Sequence, residues 1–183
     1  MTDLIALIPL FPLLGVLTNL VVGWRRSEGV VGGIACGAIG LAFLAAGVLF
    51  VGILGLPPDG RALEQTLYTW IRAGDLEIQV GFLYDPLSAV MALAVSGVSL
   101  LIHIYSIGYM HGHRGFTRYF IYLNLFTFSM LLLILGADLV VLFVGWEAVG
   151  LCSYLLIGYY YERRSASVAG VKAFLVNRVG DLG

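Results

Sequence analysis

"VLFVGWEAVGLCSYLLIGYYYERR", Val141 to Arg164, carries one carboxylate, Glu147, inside a run that is otherwise almost wholly apolar until its closing charges. A run of roughly 20 apolar residues, wound as an α-helix, is long enough to cross a hydrocarbon layer about 30 Å thick. Read that way, Glu147 sits inside a membrane. A bare charge there is costly, so the residue calls for a partner or a task.

The rest of the chain agrees with a membrane setting. Of 183 residues, 60% are hydrophobic and 11% charged, against about 25% charged in ordinary soluble proteins, and the mean hydropathy is +0.97. The formal net charge of -1 supplies no basic field for nucleic acid, so nucleic acid is not expected as a partner. Cys36 and Cys152 both stand in apolar runs without a CxxC pair or a His/Cys cluster, which argues against disulfide, zinc and iron–sulfur chemistry and for packing roles.

Five further apolar runs or partial runs flank the opening one or lie upstream of it. The expected spans are Leu4 to Trp24, Gly29 to Leu56, Pro86 to Tyr109, Tyr119 to Leu135, Leu139 to Tyr161, and a sixth that begins at Ser165 and runs to Gly183. The start "MTD" lacks the basic region of a cleavable signal, so the first run is read as a true span. The loops after spans one, three and five hold Arg25, Arg26, Arg114, Arg118, Arg163 and Arg164, whereas the alternate side holds Arg61 and Arg72. By the positive-inside rule the first set is cytoplasmic and the N-terminus is outside. Trp24, Tyr109, Tyr119 and Tyr159 to Tyr161 lie beside those arginines, where an interfacial aromatic belt belongs.

Gln65 to Asp85 departs from the helical pattern. Two partly alternating runs flank "AGD", which predicts a short β-hairpin on the outer face, packed against helix ends because an isolated hairpin is marginal. Asp85-Pro86 reads as a helix start. Gly29, Gly33 and Gly37 form a four-residue stripe that would let another helix approach closely, a packing feature.

The intramembrane charges carry the functional signal. At 1.5 Å per residue, Glu147 lies about 18 Å from the cytoplasmic face, Arg178 about 20 Å, Asp181 about 24 Å and Lys172 about 10 Å. Arg178 and Asp181, three apart, share a helix face and suit an ion pair; a plain packing pair is the competing reading. Glu147 has no cation one turn away on its own helix, so a second helix or a water must partner it. Lys172 is half a turn out of phase with Asp181 and must face another helix, a hydrated cavity or the cytoplasmic surface. His103 reads first as a hydrogen-bonded packing histidine and second as a proton carrier.

Together, "LIHIYSIGYM", "RYFIYLNLFTFSM", "GWEAVGLCSYLLIGYYY" and "KAFLVNRVGDLG" resemble the N-terminal part of the L subunit of bacterial NADH-quinone oxidoreductase, respiratory complex I, whose mitochondrial counterpart is NADH dehydrogenase subunit 5. The resemblance is densest from His103 onward. It implies an all-α polytopic fold, an antiporter-like transmembrane helix bundle of which about six helices and the outer hairpin lie in this chain. It also implies a proton-translocating subunit of the membrane arm, seated in the inner (cytoplasmic) membrane beside other antiporter-like subunits. Glu147 would then pair with a seventh-helix lysine in the proton route, and Arg178 with Asp181 would gate it, with Lys172 on the same path. No cofactor is expected in this chain; NADH, FMN, iron–sulfur clusters and quinone would belong to other subunits.

The chain stops at Gly183 inside an apolar stretch, so it reads as one transmembrane domain, residues 1-183, of a longer subunit. Two alternatives stand beside this reading. One is a subunit of a multisubunit cation/proton antiporter or of a membrane-bound hydrogenase. The other is a bundle serving only assembly, with its charges as packing pairs.

Overall fold

The computed structural model describes residues 2–74 and 76–181. Six α-helices and one antiparallel hairpin follow in order: α1 Leu7–Val21, α2 Glu28–Leu54, β1 Leu63–Ala73, β2 Leu76–Tyr84, α3 Pro86–Tyr109, α4 Phe116–Leu135, α5 Leu139–Ile157 and α6 Arg164–Asp181. Helices α1 to α5, the first taken with the turn before it, are the five long and apolar enough to cross a membrane. Lys172, Asn177, Arg178 and Asp181 dilute the apolar character of α6.

Local chemistry sets the helix ends. Asp85 and Ser88 form a reciprocal capping box at the start of α3, with Pro86 at its first position. Asp138 Oδ1 accepts the Val140 amide at 2.7 Å and caps α5. Helix α4 starts at Phe116, earlier than the expected Tyr119, because Phe116 is buried and its ring packs, tilted, against Phe120 at 4.7 Å. Helix α5 ends at Ile157, short of the expected Tyr161. Gly158 closes it, donating to the Tyr154 carbonyl at 2.9 Å, and the Tyr159 ring turns back into the bundle.

In the bundle α1 packs on α2 and α4, α2 on α3, α4 on α5, and α6 on α5. Two buried clusters form, one at each end. At the hairpin end Ile5, Ile8, Leu49, Ile53, Tyr84, Leu131 and Leu135 come together; at the other, Val31, Ala35, Met110, Phe116, Phe120 and Tyr159. The glycine stripe of α2 is not a contact face here. Gly29, Gly33 and Gly37 are exposed, and a methyl group added at any of them would meet nothing within 4 Å. The face that packs lies beside it, where Gly32 approaches Ile107 and Ala35, Ile39, Ala42 and Ala46 are buried. Spacing alone could not tell the two faces apart, because α2 is apolar all round.

The hairpin is slightly longer than expected, pairing Leu63 with Tyr84 through Ala73 with Leu76, with irregularities between Thr66 and Tyr68 and between Thr69 and Ile71. Asp75, expected in its turn, lies outside the described residues. Helix ends hold the hairpin as anticipated, with Ala137 donating to the Gly81 carbonyl at 3.1 Å and Ala6 to Gln65 Oε1 at 2.9 Å, and the body of α2 adds a further hold, its Ala46 carbonyl accepting from the buried Tyr84 hydroxyl at 2.7 Å. At the opposite end the interhelical loops clasp one another, with Glu28 accepting from the Gly112 amide and pairing with His111 at 2.8 Å. Arg114, Arg118 and Arg163 gather at this same end, and Arg61 and Arg72 at the hairpin end.

Candidate functional site

Helices α5 and α6 run antiparallel after the short Gly158–Arg163 connection, and that reversal brings two distant charges together. Glu147 lies about 15 Å along α5 from Ile157, and Arg178 about 21 Å along α6 from Arg164. Helical side chains lean toward their own N-terminus. On antiparallel helices Glu147 and Arg178 therefore lean toward each other, which closes most of the 6 Å offset.

They meet as an ion pair, Arg178 Nη1 with Glu147 Oε2. The same guanidinium reaches Asp181, with Nε 3.3 Å from Oδ2. That second contact is an ion pair without hydrogen-bond geometry, since both atoms remain unpartnered in that sense. Asp181 is instead held by Trp146, whose Nε1 donates to Oδ1 at 2.7 Å. Arg178 thus stands between two carboxylates on different helices, one of them fixed by an indole from the residue beside Glu147. The Phe174 ring lies 5.0 Å from the guanidinium and covers its face.

Room for the guanidinium comes from Gly150, one turn along α5 from Glu147, where a β-carbon would stand 2.5 Å from Arg178 Nη2. A cleft of about 380 Å³ opens beside the cluster, lined by Leu133, Trp146, Gly150, Ser153, Arg178 and Asp181 among others. The charged side chains are only partly covered: Arg178 keeps 25% of its surface, Glu147 31% and Asp181 14%.

The structure brings together three of the five residues singled out in sequence. Lys172 is exposed on another face of α6, in a shallow apolar groove with Val168, Val171 and Leu175. His103 is fully buried toward the arginine-rich end of α3, its ring 6.0 Å from that of Phe120 and its Nδ1 2.7 Å from the Ser99 carbonyl. That carbonyl can only accept, so Nδ1 carries the hydrogen, and Nε2 is left without a partner among the described residues. Two participants were missed. Trp146 gave only its adjacency to Glu147 as a signal, and Gly150 was one glycine among 24.

Two regions of the chain match known families. Residues 70–120 match the family described as NADH-ubiquinone oxidoreductase (complex I), chain 5 N-terminus, and residues 136–183 match the transmembrane family of NADH:quinone oxidoreductase and Mrp antiporters. Over 180 residues, 98% of this chain, it is 43% identical to NADH-quinone oxidoreductase subunit L of Pseudomonas aeruginosa PAO1 and 41% identical to that of Escherichia coli K12. The chain belongs to the NADH-quinone oxidoreductase subunit L family. Its similarity to the Neisseria meningitidis serogroup B member is 53% over 144 residues, or 78% of the chain. The chain spans 21% of the length of the Neisseria relative and 29% of the other two. Among solved structures, a chain of the membrane-bound sulfane sulfur reductase, an archaeal respiratory membrane complex, has the same fold with a TM-score of 0.76 at 18% identity, over 96% of this chain and 34% of that one. The expected architecture, a multi-pass membrane bundle with a two-stranded hairpin, is the one found.

Proposed function

We propose that this chain is the N-terminal part of a proton-translocating membrane-arm subunit of NADH-quinone oxidoreductase, and that Glu147, Arg178 and Asp181 form a switchable ion-pair site on its proton route. Family membership supports the first half. The observation that carries the second is the position of Arg178, paired with Glu147 across the α5–α6 interface and 3.3 Å from Asp181.

Arginine keeps its proton under all ordinary conditions, so it serves as a movable charge and not as a carrier. With Arg178 against Glu147, that carboxylate is compensated and ionised. When Arg178 turns to Asp181, Glu147 loses its cation, and a carboxylate left alone in an apolar medium takes up a proton. Return of Arg178 expels the proton. Each cycle loads and releases one proton at Glu147 without any redox step in this chain. The seventh-helix lysine and Lys172 join this scheme as further cations along the route, and the buried His103 as a further proton site on α3. NADH, FMN, iron–sulfur clusters and quinone are assigned to other subunits of the complex, and neighbouring antiporter-like subunits to the flanks of this one. The partial exposure of the three charged groups supports cover by a further protein segment, since lipid would not accept them.

The arginine-rich end of the bundle is assigned to the cytoplasm and the hairpin to the outside of the inner membrane, with the N-terminus outside. A second reading, a subunit of a cation/proton antiporter, draws on the family description that names Mrp antiporters beside the oxidoreductase. Both readings use the same ion pair and differ in what drives it.

The test is proton uptake in sealed vesicles driven by NADH oxidation, normalised to assembled complex. Glu147→Gln should assemble and pump poorly, while Glu147→Asp should keep a substantial part of the activity. Wild-type pumping by the Gln variant would make Glu147 a packing residue and remove the mechanism. Uptake driven by a sodium gradient and indifferent to NADH would favour the antiporter.

A further inference from the structure

At the arginine-rich end of the bundle, away from the Glu147 site, a recess of about 650 Å³ lies between the α3–α4 and α5–α6 connections. Its charged lining is three arginines, Arg114, Arg118 and Arg163, against one carboxylate, Glu162. None of the three arginines forms a salt bridge with Asp or Glu among the described residues. Aromatic rings hold two of them, Arg118 and Arg163, in place. Arg118 lies over the rings of Tyr159 and Tyr161 at 4.9 and 4.8 Å, and Arg163 lies over Tyr160 at 5.3 Å. Arg118 spends one N–H on the Tyr159 carbonyl at 3.2 Å, and its buried Nε has no partner. Rings against the guanidinium faces leave the N–H edges as the groups available to a ligand.

The backbone adds to the same field. Gly115, at the rim with the Tyr159 hydroxyl against it, is the N-cap of the 20-residue helix α4 and offers no side chain to its first-turn amides, of which that of Phe116 already donates to the His113 carbonyl at 3.0 Å. A helix N-terminus beside several guanidinium edges favours an anion with several acceptor oxygens. Trp24, 60% exposed, lines the recess, and Tyr161 is equally exposed at its edge. Rings with one apolar and one wet side belong at the headgroup level of a bilayer.

We infer that this recess binds the phosphate of an anionic phospholipid, with Arg114, Arg118 and Arg163 on the phosphate and Trp24 and Tyr161 against the glycerol and upper acyl chain. Location selects lipid over free phosphate. The spans α3, α4 and α5 end at the recess, so a phosphate there lies at the depth of a headgroup, and the exposed aromatics continue toward the acyl region. The net positive charge selects an anionic lipid over a zwitterionic one, whose own cation would face the arginines.

The probe is phosphatidylglycerol carrying a diazirine near its glycerol backbone, added to the intact full-length protein purified in detergent with the complex that carries it. Photo-crosslinked peptides are then mapped. Capture should fall on residues 112–118 and 159–163. It should be displaced by unlabelled phosphatidylglycerol and resist phosphatidylcholine and inorganic phosphate. Arg114 and Arg163 are exposed and outside the packed clusters, so Arg114→Gln with Arg163→Gln should leave assembly intact and lower capture by about thirtyfold. Lysines at both positions should restore most of it. Undiminished capture in the glutamine double variant overturns the site, as does capture on other peptides. Equal competition by phosphatidylcholine overturns its charge selectivity, and displacement by inorganic phosphate overturns the lipid assignment. None of these outcomes depends on whether the complex pumps protons.

Discussion

Gly150 of α5 and Arg178 of α6 face each other so closely that a β-carbon on the glycine would stand 2.5 Å from Nη2 of the arginine. The guanidinium can lie against Glu147 only because the position one turn further on has no side chain. Gly150→Ala should therefore push Arg178 off Glu147 while leaving the apolar contacts of α5 with α4 in place. Overpacking of this kind costs about 1–3 kcal/mol, so assembly should survive and proton uptake should drop severalfold. Unchanged uptake per assembled complex would show that the Glu147–Arg178 contact does not matter to transport.

Sharing of Arg178 between two acids makes the three charges unequal. Asp181→Asn leaves Arg178 compensated by Glu147 and should be tolerated by assembly. Arg178→Gln strands both carboxylates. Breaking a well-buried pair costs about 3–5 kcal/mol, and the partial exposure of this cluster places the loss toward or below the low end. Assembled complex, measured by blue-native electrophoresis, should follow the order wild type, Asp181→Asn, Arg178→Gln. Neutralising Glu147 and Asp181 together in the Arg178→Gln background should recover assembly without recovering transport. The reverse order for the single variants would place the main pair elsewhere.

Tyr84 closes β2 with a buried hydroxyl donating to the Ala46 carbonyl of α2. Burial pushes its phenol up to about 12 from an ordinary value of 10.0. Because the folded value is raised, its stabilising contribution is complete below the ordinary value and is lost as pH rises through about 12. Tyr84→Phe removes one buried hydrogen bond, for about 1 kcal/mol near neutrality, and should flatten the alkaline limb of the stability profile. Thermal unfolding followed from pH 9 to pH 12 compares the two proteins. Parallel alkaline losses would show that Tyr84 has no part in the fall.

Topology is open to direct labelling. Cysteines placed at Gln65 and Ser165 in a background lacking Cys36 and Cys152 should react with an impermeant thiol reagent from opposite sides of the membrane. Labelling of both from one side rules out the arrangement proposed from the arginine distribution.

Most of the fold could be read in advance because its elements announce themselves with short-range signals. Asp85-Pro86 starts α3, Asp138 caps α5, and the alternation around "AGD" marks the hairpin. Helix ends near aromatic residues were less legible. Tyr159 follows α5 in an apolar run that reads as continuous helix, and only its burial against Phe116 and Phe120 shows why the chain turns at Gly158. The facing of α2 was misread for a related reason: a helix apolar all round carries no moment that says which side touches its neighbours. In the site, the matched depths of Glu147 and Arg178 were visible from counting along two opposed helices. The sharing of Arg178 and the indole bond of Trp146 were not, because they depend on rotation about the helix axes, which long-range packing decides.

Helix α6 has Gly170 as its one buried residue among those described. There a β-carbon would come within 3.3 Å of the Gly158 amide nitrogen and the Tyr154 carbonyl oxygen. Close backbone contact makes Gly170 a pivot, and beyond it Phe174 on the Tyr154 ring and Arg178 over Gly150 also bear on α5. Arg178 rides about 12 Å out along the arm, and a tilt of roughly 10° at the pivot sweeps it through about 2 Å. Asp181 rides on the same arm, so a sweep of that size changes the distance of Arg178 from Glu147 on α5 and leaves its distance from Asp181 unchanged. A modest push on the far end of α6 would thus be geared into a change in the reach of Arg178 toward Glu147, with Asp181 the partner that travels with it.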